Sequence, residues 1–302
     1  LINAIQAANA APNPDIICLA NNSIYPLTQV IDNTTGLPSI TSPITIWGNN
    51  ATITRVAGSP TFRIFRVALN GSLSIRDLTI SNGSALQGGG IAATGALTLN
   101  NVIVRDQVAS NAGGGLFISG STAELTHVQI LNNRAPVGAG VYVTGTATVV
   151  YLSRSLIKDN VANNLGGGLF NNNSFVTITT TVFVNNSAQQ GGGIRNATFG
   201  TISITESLFQ QNTAVDLGGA ISTESENIEG SQSCFVDNMA SRGRAVHNNT
   251  LLGITFENNW WGQTSGASTD DLLGLIDVDP FLTSPPVDCE LSLNKSKHDF
   301  RK

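Results

Sequence analysis

Asp106 and Asp159 are the one pair of carboxylates that spacing brings into a geometry suited to chemistry. Two carboxyl groups about 5–9.5 Å apart can cleave a glycosidic bond, one as general acid and the other as base or nucleophile. The same oxygens suit calcium, which takes hard carboxylate and carbonyl ligands. Arg105 and Lys158 adjoin them, and the plainer expectation is two solvated carboxylates neutralised by their neighbours. Glu224, Glu226 and Glu229 fall in an interruption between repeats, either a solvated acidic loop or a loop that binds cations. Asp270, Asp271, Asp277 and Asp279 cluster near the C-terminal end, without the spacing of an EF-hand. His127, His247 and His298 show no transition-metal spacing. Calcium is therefore the one cofactor for which the chain offers ligands, and no metal site is assigned. No serine nucleophile elbow occurs.

The elements that must position these groups follow from a repeat. Glycine-rich corners begin at Gly88, Gly113, Gly138, Gly166, Gly191, Gly218 and Gly243, at intervals of 25, 25, 28, 25, 27 and 25 residues. A second column, five or six residues before each corner, reads Asn82, Gln107, Asn133, Asn160, Asn186, Asn212 and Asn238, and is continued by Asn259. Three residues earlier in the later repeats runs an apolar column: Val104, Ile130, Ile157, Phe183, Phe209, Phe235 and Phe256. Between corners apolar and polar residues alternate, as in Thr201-Ile202-Ser203-Ile204, which predicts strands with one buried face. Short strands with glycine corners at this period predict an all-β, single-stranded, right-handed parallel β-helix (a β-solenoid) of about three strands per coil. Coils stacked about 4.8 Å apart put Asp106 and Asp159, two coils apart, about 9.6 Å from each other with Asn132 between. Asp77 and Glu206 share another column but lie five coils apart, about 24 Å, which is too far for a pair. Stacked asparagines can pass amide hydrogen bonds from coil to coil, so Asn133, Asn160, Asn186, Asn212, Asn238 and Asn259 are expected to form a structural ladder.

Composition narrows the function class. The chain holds 32 Asn, 31 Gly and 30 Thr against 4 Lys, and only 12% of residues are charged. A net charge of -5 gives no basic footprint for nucleic acid. With 41% apolar residues the chain is not disordered, and no apolar run reaches the roughly 18 residues of a membrane helix. Scarce lysine and low charge fit a protein outside the cell. The chain starts at Leu1 rather than Met, and a signal peptide is expected to have been removed. Ten Asn-x-Ser/Thr sequons occur, at Asn21, Asn33, Asn50, Asn70, Asn82, Asn172, Asn185, Asn196, Asn248 and Asn294; Asn82, as a ladder member, is expected to be interior and unmodified.

An open stack of strands needs covered ends. Leu1, Ile2, Ala4, Ile5 and Ala8 fit one helical face and predict a short capping helix ended by Pro12 and Pro14. Trp260 and Trp261 are large enough to plug the last coil. One domain is expected over 1–290: an N-terminal cap over 1–14, coils over 15–259 and an irregular C-terminal cap over 260–290. Residues 291–302 are expected to be a tail or linker. Three cysteines, Cys18, Cys234 and Cys289, match no zinc pattern. One disulfide fits, because a staple from the irregular end to the body would help, and Cys234 is the preferred partner of Cys289; the other reading is three buried or free thiols.

Phe209-Gln210-Gln211-Asn212 followed by Gly218-Gly219-Ala220-Ile221 resembles the FxxN and GGA[ILV] repeats of polymorphic outer-membrane proteins. Phe183-Val184-Asn185-Asn186, Phe235-Val236-Asp237-Asn238 and Phe256-Glu257-Asn258-Asn259 repeat the first motif. Leu1 to Leu27 and the segments Asn258-Asn259-Trp260-Trp261-Gly262 and Asp277-Val278-Asp279-Pro280-Phe281-Leu282 look like the start and the close of bacterial secreted parallel β-helix proteins. The resemblance implies the fold and an extracellular or cell-surface location. The expected function is a non-enzymatic surface, adhesive or structural module, with self-association through coil ends and tail, and with cell-surface or extracellular glycans as further partners. In one form it is a fibre subunit. The alternative is a polysaccharide lyase or hydrolase using the Asp106/Asp159 face. A carbohydrate-binding module without cleavage would have to rely on Tyr142, Tyr151 and a few Phe.

Overall fold

The computed structural model describes residues 1–11, 13–286 and 289. The chain is an all-β parallel β-solenoid of about 10 turns, roughly 26 residues per turn, with one short N-terminal helix. Among the described residues the strands form a 17-stranded, a 9-stranded and a 6-stranded sheet. One coil illustrates the path. Thr213–Leu217 lies in the six-stranded sheet, and the Gly218 corner turns the chain into Ile221–Thr223 of the nine-stranded sheet. A turn leads to Ile228–Ser231 and Cys234–Val236, both in the large sheet and separated by the Gln232 corner.

Parallel, in-register pairing puts like residues above one another. Val176 pairs with Ile202 and Ile202 with Ile228, and all three are buried. In Thr201–Thr205 the two isoleucines point inward while the intervening Ser and Thr are half-buried on the outer face. Continuous apolar columns therefore fill the interior. Where the later coils carry Phe183, Phe209 and Phe235, the rings stack with centroids 5.0 and 5.1 Å apart.

The corners explain the odd composition. Asp77, Asn101, His127, Arg154, Thr180, Glu206, Gln232 and Asn258 all have φ between 48° and 55°. Asn82, Asp106, Asn132, Asp159, Asn185, Gln211 and Asp237 form a second left-handed column, with φ between 53° and 62°. Asn and Asp enter this conformation more readily than other L-residues, because their short polar side chains bond locally. At the third corner Gly166 has φ of 62°, and a Cβ on Gly167 would lie 2.4 Å from the Gly192 carbonyl oxygen of the next coil. One glycine supplies the turn and its neighbour the close backbone stacking.

Both ends are covered. Helix Ile2–Ala10 buries Ile5 and Ala8, and Leu1 and Ile2 pack against the core; Ala4 stays exposed. Asn9 clamps the helix to the first coil, donating to the Ser39 carbonyl at 2.7 Å and accepting from the Thr41 N–H at 2.9 Å. At the other end Trp261 stacks on Phe235, centroids 4.8 Å apart. The following segment is largely irregular but still adds parallel pairs: Leu272–Leu273 beside Val246–Asn248, and Ile276–Asp277 beside Ile254–Thr255. The segment 291–302 lies outside the described residues.

Candidate functional site

Asp106 and Asp159 sit in the second corner column, each held in the left-handed region, with φ of 58° and 56°. Each is paired with its own neighbour. Arg105 Nη1 lies 2.7 Å from Asp106 Oδ2, and Lys158 Nζ lies 3.7 Å from Asp159 Oδ2. Asn185 Nδ2 donates to Asp159 Oδ1. The two carboxylates thus occupy equivalent corners of a column that favours Asn and Asp for backbone reasons, and each is about one-third exposed. Their residue type and spacing match those of the corner column they occupy.

The most extended polar structure is interior. Gln107, Asn133, Asn160, Asn186, Asn212 and Asn238 form one hydrogen-bonded ladder. The Asn160 backbone N–H and Nδ2 both donate to Asn186 Oδ1, at 3.1 and 2.9 Å. The second Nδ2 hydrogen goes to the Ile130 carbonyl at 2.9 Å. The same triple recurs from Asn133, Asn186 and Asn212. From Gln107 to Asn212, burial at 0% exposure is tolerated because the side-chain polar groups are paired.

Two asparagines expected in the ladder and one phenylalanine of the apolar column stand elsewhere. Asn82 is an exposed left-handed corner residue, since Ser81 pairs with Arg105; Gly83 takes the ladder position, donating to Gln107 Oε1 at 2.6 Å. Asn82 is therefore not interior. Asn259 does not continue the ladder from Asn238. It lies 26 residues after Ser233 and accepts that residue's N–H at 2.8 Å, closing a hydroxyl ladder that includes Thr181, Ser207 and Ser233. Phe256 likewise sits over Gly230, and Trp261 succeeds Phe235 in the aromatic stack. The Phe256-to-Asn259 motif has the right internal spacing but the wrong phase: Asn259 follows Asn238 by 21 residues, while the coil itself keeps its 26-residue step from Ser233 to Asn259.

A second buried ladder has no counterpart in the sequence reading. Asn171 Nδ2 donates to Asn196 Oδ1 at 3.0 Å, and Asn196 Nδ2 to Thr223 Oγ1 at 3.3 Å. Asn248 pairs with Thr223 in the next coil. The signal was present, because Asn171, Asn196, Thr223 and Asn248 keep the interval of the glycine corners. Asn196 and Asn248 are buried, so two of the nine sequons among the described residues are interior. On the outer side of the same strands Arg195, Ser222 and His247 form a buried polar column. Arg195 Nη2 lies 2.5 Å from Glu224 Oε1, and Ser222 Oγ lies 3.1 Å from His247 Nδ1. Burial, with Arg195 and Arg242 nearby, pushes the His247 pKa down.

The remaining candidates are dispersed. Glu226 and Glu229 are exposed, and Glu229 accepts from Ser203 Oγ. Asp270 and Asp271 face Arg244 at 3.3 and 3.5 Å. Among the described residues no group of three or more His, Cys, Asp or Glu is arranged to hold a metal ion. His127 is an exposed corner residue, and His298 lies outside the described residues. Tyr142 is stacked between Phe117 and Phe170, centroids 5.1 and 5.2 Å apart, so both ring faces are covered; Tyr151 is exposed. Cys234 and Cys289 are bonded across a sequence separation of 55, and Leu208 packs on them; Cys18 is a free, exposed thiol.

A family model, the Chlamydia polymorphic membrane protein (Chlamydia_PMP) repeat, matches residues 206–224. Those residues are similar to that repeat. They run from the Glu206 corner through Ser207, Phe209 and Asn212 of three stacked columns to the Gly218 corner and Glu224, most of one coil. Comparison with curated proteins and with solved structures returns no match. No helix among the described residues is long and apolar enough to cross a membrane.

Proposed function

We propose that the chain is a surface-associated, extracellular β-solenoid that serves as a rigid structural or adhesive module. The observation that carries this reading is the polymorphic membrane protein repeat falling on one coil of a regular stack. Its conspicuous polar residues have structural partners: ladder amides pair with ladder amides, and corner carboxylates with adjacent cations. Such a stack presents long, flat, polar outer faces at fixed spacing, which suits multivalent contact or a stalk. Self-association is a further part of the proposal. The helix over the first coil and the largely irregular segment that follows Trp261 at the other end disfavour direct strand-on-strand stacking and leave cap-to-tail contacts as the route.

Beads coated with the folded protein test the adhesive role. They should attach to glycan-bearing cell surfaces, while beads coated with denatured protein should not; equal attachment by both would sink it. Electron microscopy across a concentration series tests assembly. Filaments with a regular axial repeat are expected from a fibre subunit, and isolated short rods at every concentration would exclude it.

A further inference from the structure

The asparagine ladder stops at Asn238 with its hydrogen bonds incomplete. In the four coils before it, each asparagine gives its backbone N–H and one Nδ2 hydrogen to the Oδ1 of the next, at 2.9–3.1 Å. Each incoming asparagine also donates to a carbonyl of the coil before: Asn212 to Phe183 and Asn238 to Phe209, both at 2.8 Å. Beyond Asn238 the pattern breaks. Trp261 keeps the register over Phe235, but Gly262, with φ of 80°, turns the chain away, and Gln263 bonds instead to the Gly266 carbonyl at 2.9 Å. No described residue accepts from the Asn238 N–H or from its second Nδ2 hydrogen, and none donates to the Phe235 carbonyl.

These three groups belong to residues lining a cavity of about 350 Å³ between the last two turns. Asn238 is 7% exposed there, while Asn133, Asn160, Asn186 and Asn212 are at 0%. Two donors and one acceptor, in the arrangement that receives an asparagine side chain four times in the same molecule, match a primary carboxamide: one oxygen for both N–H groups, one N–H for the carbonyl. A carboxylate fits worse. It has no hydrogen for the Phe235 carbonyl, Asp271 lines the same cavity, and Arg244 is already shared between Asp270 and Asp271. We propose that the open end of the ladder is a binding site for an asparagine or glutamine side chain of a partner polypeptide, held by Asn238 and Phe235 where the next coil's asparagine would stand.

The test is a titration of the ¹⁵N-labelled full chain with propionamide, a glutamine side-chain analogue, and with propionate. Propionamide should give a saturable shift of the Asn238 backbone and side-chain amide resonances and of Gly262, several-fold larger than propionate gives. Ser268→Trp, which fills the cavity from its rim, should abolish that shift while the cooperative unfolding transition is retained; Gln263→Trp serves if the first variant does not fold. No saturable shift, equal shifts with propionate, or an undiminished shift in a folded cavity-filled variant would each overturn the proposal.

Discussion

Asn186 gives two hydrogen bonds to one atom of Asn212: its Nδ2 lies 2.9 Å and its backbone N 3.1 Å from Asn212 Oδ1. Asn212 is 26 residues further along the chain, so each such pair fixes the register of one coil on the next. Replacing Asn186 by Ala strands both donors of Asn160 and the Ile157 carbonyl in a buried site. The expected loss is about 3 kcal/mol or more. Asn185→Ala, one residue earlier at an exposed left-handed corner, should cost only about 1–2 kcal/mol. Urea unfolding of the two variants measures the contrast, and equal losses would contradict the ladder's role.

Backbone stacking at the glycine corners makes a second prediction. A Cβ on Gly167 would stand 2.4 Å from the Gly192 oxygen and 2.5 Å from the Ser187 oxygen, both backbone atoms of the next coil. Gly167→Ala should therefore destabilise by at least about 2 kcal/mol. At Gly253 no described atom lies within 4 Å, and Gly253→Ala should stay within about 0.5 kcal/mol of the parent. Thermal melts of the pair give the answer directly.

His247 makes stability depend on pH. Burial, then Arg195 and Arg242, lower its pKa in the folded state, against the opposing pull of Asp216 and Glu224. The unfolded chain then binds the extra proton more readily. Stability should fall as pH drops below the ordinary histidine value of 6.5 and level off above it. Urea midpoints from pH 5 to 8 should show this slope, and His247→Gln should reduce it.

The cysteine arrangement predicts a thiol count. Unfolded without reductant, the chain should show one reactive thiol, Cys18, and three after reduction. Reduction should also lower stability by about 2–4 kcal/mol. Three thiols without reductant would remove the Cys234–Cys289 link from the account.

The repeat made the fold legible in the sequence, because corner glycines and alternating strands recur at nearly constant intervals. What failed was phase rather than period. Asn82 and Asn259 match the ladder by residue type, yet one stands at a left-handed corner and the other in the hydroxyl ladder. Asparagine serves both the left-handed corners and the buried ladders, so residue type alone does not separate neighbours such as Asn185 and Asn186. The Asn171–Asn196–Thr223 ladder is hard to read from the sequence because its column is apolar in earlier coils, where Ile118 and Val143 occupy it. Asp106 and Asp159 share a left-handed corner column with Asn132 and Asn185, where Asn and Asp are favoured by the backbone.

The most direct measurement is antibody labelling of intact cells of the source organism, before and after permeabilisation, with an antibody raised against the folded solenoid. A surface-associated module predicts full labelling of intact cells, with little increase on permeabilisation. Labelling that appears only after permeabilisation would place the protein inside the cell and contradict the surface reading.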